Sequence, residues 1–349
     1  IELSLKDSAF FAETLKLSPQ NPYQKTVDID GEIQAQDLKP AVLSPDHTEL
    51  ISLQTKPGIN EPFPPVYQYP LNPTEYKTSQ ELFFAGLKLE QFGNTNFDYM
   101  KYYEAALQLD PSDVMTNTQL GTIYLKRGEY ALAEEHLKRE VAVVTGNHKK
   151  AQDATSLYYL GLCYLNQSKI DEALDLLYRS TWDYQWTSAG YTLVARLEAR
   201  RGHWEKAFDA ADRACKANTQ NVEALLAKAI ILRKQGSFEP ALRSVQDALA
   251  VDPLCFTAMN ELLLLSNHIP TGMNAETCRA SLVKHLRTEP YNYMETAARY
   301  SLFGLDGDAA EVMNLAAGSL NSALNSYPMV YYHLGMYLHL SGQGVKAEQ

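Results

Sequence analysis

The chain has 349 residues, of which 45% are hydrophobic and 21% charged, and a formal net charge of −11. That balance argues against a general nucleic-acid binder, because neutralising phosphates needs a basic surface. No apolar run approaches the roughly 18 residues that a membrane-spanning helix requires.

Residues 1–56 alternate apolar and polar side chains with period two. The alternation predicts strands over Ile1–Leu5, Phe11–Leu17, Tyr23–Ile29, Ala41–Leu43 and Leu50–Leu53, with turns at Ser18-Pro19, Asn21-Pro22, Asp30-Gly31 and Ser44-Pro45. A small antiparallel, Ig-like module with a thin core is the expected outcome. Ile1 opens directly into the first alternation, and VKAEQ at 345–349 reads as the opening of a helix. The sequence is therefore expected to be a piece of a longer protein, which leaves localisation open between cytoplasm and periplasm.

Residues 57–78 form a proline-rich strap, KPGINEPFPPVYQYPLNP at its centre, which is extended rather than helical. It reads either as a docking peptide or as a stiff segment pressing Phe63, Tyr67 and Tyr69 onto the chain's own helices.

From residue 79 the periodicity becomes helical. SQELFFAGLKLEQF puts Leu82, Ala85, Gly86 and Leu89 on one face, and YMKYYEAALQLDPSD follows with Ala105 and the stop Asp110-Pro111. The next units carry Leu120, Gly121, Tyr124, Gly128, Ala133 and Leu137, then Leu160, Gly161, Tyr164, Ala173 and Leu177. The spacing from Gly121 to Gly161 (161 − 121 = 40) exceeds the later period by six, and the polar loop TGNHKKAQDA absorbs the surplus. Residues 187–253 then hold two near-identical hairpins. Ala195 and Ala229, Gly202 and Gly236, Trp204 and Phe238, Ala207 and Ala241, and Ala214 and Ala248 are each separated by 34 (for instance 229 − 195).

That interval is the tetratricopeptide repeat (TPR) period. The expected fold is therefore mainly α, a right-handed superhelical TPR α-solenoid over 79–349 with seven to eight hairpins, preceded by the β-module. Each residue type has a mechanical reason. Alanine lets helix backbones approach, Gly202 provides a left-handed cap, and Trp204 and Phe238 fill the wedge between hairpins. Asp252-Pro253 stops the second helix. Beyond Pro253 the pattern degrades, with irregular loops at His268–Asn274 and Gly304–Asp308, and it returns at Leu334-Gly335 and Ala347.

Catalytic signatures are missing. The eight histidines show no i,i+4 pair, and HExxH, GxSxG, GxGxxG and a Walker loop are absent. Cys163, Cys215, Cys255 and Cys278 are scattered without metal-type spacing and read as buried thiols. No cofactor, metal or catalytic residue is expected. The first helices of a TPR array face a concave groove, and counting from the small residue of each repeat places Thr118, Thr122, Lys126, Tyr158, Asn166, Arg196, Arg200, Arg233 and Lys234 there. Its cations would attract an anionic segment, or else pair with the protein's own acids. The Lys and Asn sites of the dicarboxylate-clamp TPRs are here Thr118, Thr122, Tyr158 and Leu162, so that mode is disfavoured. In YRSTWDYQWTSAGY, Trp182, Tyr184 and Trp186 crowd a repeat junction, as a packing knot or as a stacking platform.

ELFFAGLKLEQF (81–92), YYEAALQLDPSD (102–113), YLGLCYLNQSKIDEALDLLYRSTWDYQW (159–186), LLAKAIILRKQG (225–236) and LAVDPLCFTAMNEL (249–262) carry a resemblance. Over roughly 80–340 the chain resembles an uncharacterised family of large bacterial proteins. There a galactose-mutarotase-like β-sandwich region of unknown function precedes C-terminal TPRs. The resemblance implies a role in carbohydrate handling for the whole protein, with residues 1–56 as the tail of the sandwich region. The leading expectation is a non-catalytic scaffold or interaction arm whose partner is a protein, a peptide or its own upstream domain. The alternatives are a free-standing adaptor for an acidic peptide, and a self-assembly module forming a homo-oligomer.

Overall fold

The structure is a computed structural model that describes residues 1–6, 8–16, 23–54, 69–146, 150–269, 274–319 and 321–347. The chain divides into two compact units, Ile1–Tyr69 and Pro70–Gln349.

The first unit holds one antiparallel sheet of four strands in the order β2-β1-β3-β4. These are β1 (Glu2–Leu5), β2 (Ser8–Ala12), β3 (Leu38–Leu43) and β4 (Glu49–Ser52). The alternation predicts five: the strand expected at Phe11–Leu17 runs instead over Ser8–Ala12, with residues 13–16 beyond its end, and Tyr23–Ile29 enters no ladder. Side chains hold its start instead: Tyr23 and Lys25 both donate to the Glu13 carboxylate, at 2.8 and 2.6 Å. An extended segment alternates whether or not a neighbouring strand pairs with it, so period two alone overcounts. The third strand is longer than expected because Pro40 lies inside it, opposite Leu3. Its core is thin: Ala41 is the only buried apolar residue among the described ones of this unit, and Leu50, Ile51 and Leu53 stay largely exposed.

The second unit is a stack of helical hairpins. In chain order the helices are α1 (Ser79–Gln91), α2 (Tyr99–Leu109), α3 (Val114–Arg127), α4 (Tyr130–Val144), α5 (Thr155–Asn166) and α6 (Ile170–Ser180). They continue as α7 (Tyr184–Arg200), α8 (Trp204–Ala217), α9 (Val222–Lys234), α10 (Phe238–Val251), α11 (Phe256–Leu265) and α12 (Ala275–Leu286). The last are α13 (Pro290–Ser301), α14 (Asp306–Ala317), the short α15 (Ser322–Asn325), α16 (Pro328–Leu340) and α17 (Gly344–Ala347). Of the strap, Phe63 and Tyr67 lie outside the described residues and Tyr69 is exposed. Further along the strap, the Leu71 carbonyl accepts from the Tyr102 hydroxyl at 3.0 Å.

Small residues set the spacing within each hairpin. A Cβ on Gly121 would stand 2.5 Å from Leu137 Cγ, and one on Gly161 would stand 2.9 Å from Leu177. Ala195 and Ala229 hold the corresponding places further on, both fully buried. In the first hairpin Ala106, not Ala105, is the buried alanine. The expected caps are in place: Gly128, Gly202 and Gly236 have φ of 76°, 78° and 75°. One expected loop is a helix instead, since α14 begins at Asp306 and so includes Asp308.

The contrast between two glycines is testable. Gly121→Ala drives a methyl into the fully buried Leu137 and is expected to destabilise by about 1–3 kcal/mol through overpacking. Gly202→Ala meets no atom within 4 Å and loses only what a left-handed alanine costs, about 1 kcal/mol. Urea unfolding of the two variants should rank them in that order.

Candidate first-helix interface

The first helices α7, α9 and α11 pack on one another in sequence, as α3, α5 and α7 do. Their shared face is where an array of this type presents side chains to a partner. Across α7, α9 and α11, however, that face is taken by α13 and α14 of the same chain.

Four connections show it. Glu223, in the first turn of α9, pairs with both Arg196 of α7 and Arg299 of α13. Arg233, near the end of α9, makes a two-pronged pair with Glu261 of α11 at 2.7 and 2.9 Å, and reaches Asp308 of α14 at 2.6 Å. Lys234 meets the other oxygen of Asp308 at 3.0 Å. Asn260 of α11 donates to the Tyr300 hydroxyl at 2.8 Å, with both residues buried. The Glu261 side chain has no exposure and the Arg233 side chain only 9%. Burial alone would favour a neutral guanidinium, but Glu261 and Asp308 outweigh it and hold Arg233 above the ordinary arginine range. Tyr300, wholly buried, has its hydroxyl pushed well above the usual phenol range.

The candidate residues therefore separate. Arg196, Arg233 and Lys234 are engaged by the chain's own acids. Thr118 and Thr122, expected on the open groove, turn into the helix packing. The Thr118 hydroxyl lies within hydrogen-bond reach of the Val114 carbonyl, at 2.8 Å, and of the buried Glu140 carboxyl of α4, while Thr122 is buried and bonds the Gln119 carbonyl. Both threonines can satisfy a hydroxyl against their own helix, which a count along the repeat does not reveal. Lys126 is exposed at the end of α3. Tyr158 stacks on Trp186, with centroids 4.3 Å apart and planes at 22°.

Asn166, Arg196 and Arg200 do meet, in a cleft of about 510 Å³ between α5 and α7. Leu162, Leu165, Ile170, Leu193 and Leu197 line it, and Leu302, just after α13, closes one side. Arg200 is exposed, and its guanidinium reaches the Ser301 carbonyl at 3.4 Å. The distant closing residue is what sequence reading lacked, because Leu302 lies 102 positions from Arg200 (302 − 200) and outside any repeat signal. The aromatic junction also divides. Trp186 is packed, donating to Thr155 at 3.1 Å, whereas Trp182 and Tyr184 project outward, 60% and 81% exposed. They do not form a single knot.

Among the described residues, no group of three or more His, Cys, Asp or Glu could hold a metal ion. No helix is long and apolar enough to cross a membrane among them. The four cysteines are free and buried.

Two family models match the chain. One, described as tetratricopeptide repeat, matches residues 113–181. The other, described as YphG-like protein, second domain, matches residues 1–53. Among solved structures, that of pilF from Pseudomonas aeruginosa is similar over 63% of this chain and 96% of its own length, at 18% identity and a TM-score of 0.52. A tetratricopeptide repeat protein from Parabacteroides merdae is similar over 74% of this chain and 98% of its own, at 15% identity and a TM-score of 0.51. With the hairpin stack these matches show a tetratricopeptide-repeat fold, a helical solenoid, in a chain that also carries a small antiparallel sheet.

Two outcomes test the electrostatics. Arg233→Met leaves Glu261 buried and unpaired by its main partner, and should cost about 3–5 kcal/mol in urea unfolding, most of it recovered when Glu261→Met is added. Glu140 is buried, and desolvation raises its carboxyl from 4.5 to about 7 despite the Thr118 hydroxyl. The folded state thus keeps a proton that the unfolded chain releases above pH 4.5. Stability should fall as pH rises from about 4.5 to about 7 and then level off, by on the order of 3 kcal/mol at most. Glu140→Gln should remove that slope.

Proposed function

We propose that this chain is the non-catalytic interaction arm of a larger bacterial protein, and that it takes a partner's segment at the Asn166–Arg196–Arg200 cleft. The carrying observation is the chemistry of that cleft: a leucine-lined floor beside an exposed arginine that makes a long hydrogen bond to a carbonyl. Such a site suits an apolar side chain flanked by a carboxylate. The neighbouring cations Arg196, Arg233 and Lys234 are already neutralised within the chain. The concentration of cationic attraction at Arg200 is what separates this reading from a groove that is basic along its whole length.

The match of residues 1–53 to a model of a second domain supports placing the chain within a multidomain protein. A tie to carbohydrate handling is the finer part of the proposal and rests on the family resemblance. Turnover of any member of a glycan panel by this chain alone would overturn the non-catalytic part.

The direct test uses an acidic peptide containing leucine. Arg200→Ala should weaken its capture about tenfold, the scale of one charge-assisted hydrogen bond. Arg213→Ala, on the second helix α8 and paired with Asp209, should leave the dissociation constant unchanged. Equal binding by the wild type and Arg200→Ala would contradict the site.

A further inference from the structure

We propose that the C-terminal block α13–α17 is exchanged between two copies of this chain, so that each copy's α7–α9–α11 face is filled by the other's block. The inference rests on reading the first-helix face as an interaction surface, and it names a second copy of the chain as one partner of that face.

The connection between α12 and α13 carries the first observation. Only Arg287, Thr288 and Glu289 separate Leu286 from Pro290. Arg287 there has φ 58° and ψ −152°. That combination borders a region populated almost only by glycine, and for an arginine it stores strain. Two side-chain bonds hold the bend closed: Asn292 donates to the Leu286 carbonyl at 3.0 Å, and Tyr293 to the Arg287 carbonyl at 3.2 Å. A short, strained hinge next to a docked block is the arrangement in which extending the hinge and docking on a neighbour relieves strain without losing contacts.

The docking contacts are the second observation. Arg299 to Glu223, Asp308 to Arg233 and Lys234, and the Ser301 carbonyl to Arg200 join residues 74 to 101 positions apart. None of these bonds depends on chain connectivity, so the same residues of a second copy satisfy them equally. The block also packs on itself, α13 on α14 and α14 on α16, so it can move as a body. The strain at Arg287 is present twice in a pair of closed monomers and is absent from the exchanged dimer. Opening breaks the two hinge bonds and bares the charge lattice first, so exchange is slow and is reached by refolding together.

Complementary variants test it. Lys234→Glu and Asp308→Lys each set like charges opposite one another in any assembly made of that variant alone. Refolded together, they restore a native Lys234–Asp308 pair at one interface of the exchanged dimer and oppose the two introduced charges at the other. Light scattering should then show a one-to-one heterodimer that neither variant forms alone. In the wild type, Arg287→Gly relieves the closed hinge and should lower the dimerisation constant about tenfold. The proposal is overturned if the mixture stays monomeric. It is equally overturned if each variant dimerises alone as well as in the mixture, which marks end-to-end stacking, or if Arg287→Gly leaves the wild-type dimer constant unchanged. That last reading needs neither charge variant to fold. Peptide capture at Arg200, measured on the same samples, reports on the interaction site separately, so either can fail while the other stands.

Discussion

A pair of antiparallel helices leaves one apolar flank that it cannot cover by itself, and every feature of the helical unit follows from how that flank is closed. Within a hairpin, the closure requires a residue without bulk wherever a leucine of the opposite helix enters. Gly121 facing Leu137 and Gly161 facing Leu177 meet this requirement, and buried alanines meet it from Ala195 onward. Between hairpins, the next pair supplies the cover: α4 packs on α5, α6 on α7, α8 on α9 and α10 on α11. Left-handed glycines at 128, 202 and 236 reverse the chain in register with that packing.

After α12 the cover changes. The chain turns at Arg287, and α13 packs on α11 and α14 while its Arg299 reaches Glu223 of α9 and its Ser301 carbonyl accepts from Arg200 of α7. An apolar first-helix face would accept such a block through burial alone. Here the register is set by charge: Glu223 between two arginines, and Arg233 between two carboxylates. A buried pair such as Arg233–Glu261 adds less net stability than its Coulomb attraction implies, because both partners lose water. The consequence of these charges is positional, since a block displaced along the face would take Asp308 away from Arg233 and Lys234 and separate Arg299 from Glu223. The part of the first-helix face that the block leaves uncovered thus lies before α7, with Arg200 and its cleft at the boundary.

The repeat was legible because its signals are local. A 34-residue interval, a glycine after the first helix and an aromatic two places later are read within one hairpin, and α7 to α10 follow them; α5 has Ser168 in the left-handed place instead. The occupancy of the face was not legible. Nothing within the repeats marks Asp308 as the partner of Arg233, and a GLDGD string next to a glycine reads as a turn although it opens α14. Thr118 and Thr122 were assigned by position to the open face, yet each has a hydroxyl that its own helix can satisfy. Tyr23–Ile29 failed for the opposite reason, as alternation without a neighbouring strand. Of the expected groove, Asn166, Arg196 and Arg200 share a cleft, closed by a leucine that no local pattern indicates.

The central claim is that α13 and α14 are an integral part of the α7–α9–α11 stack. Native-state hydrogen exchange, followed peptide by peptide, measures this directly. The amides of α13 and α14 should share one protection free energy with those of α7 and α9, and lose it together as denaturant rises. Exchange of α13 and α14 at far lower free energy, with α7 and α9 still protected, would show an array complete without them and contradict the account.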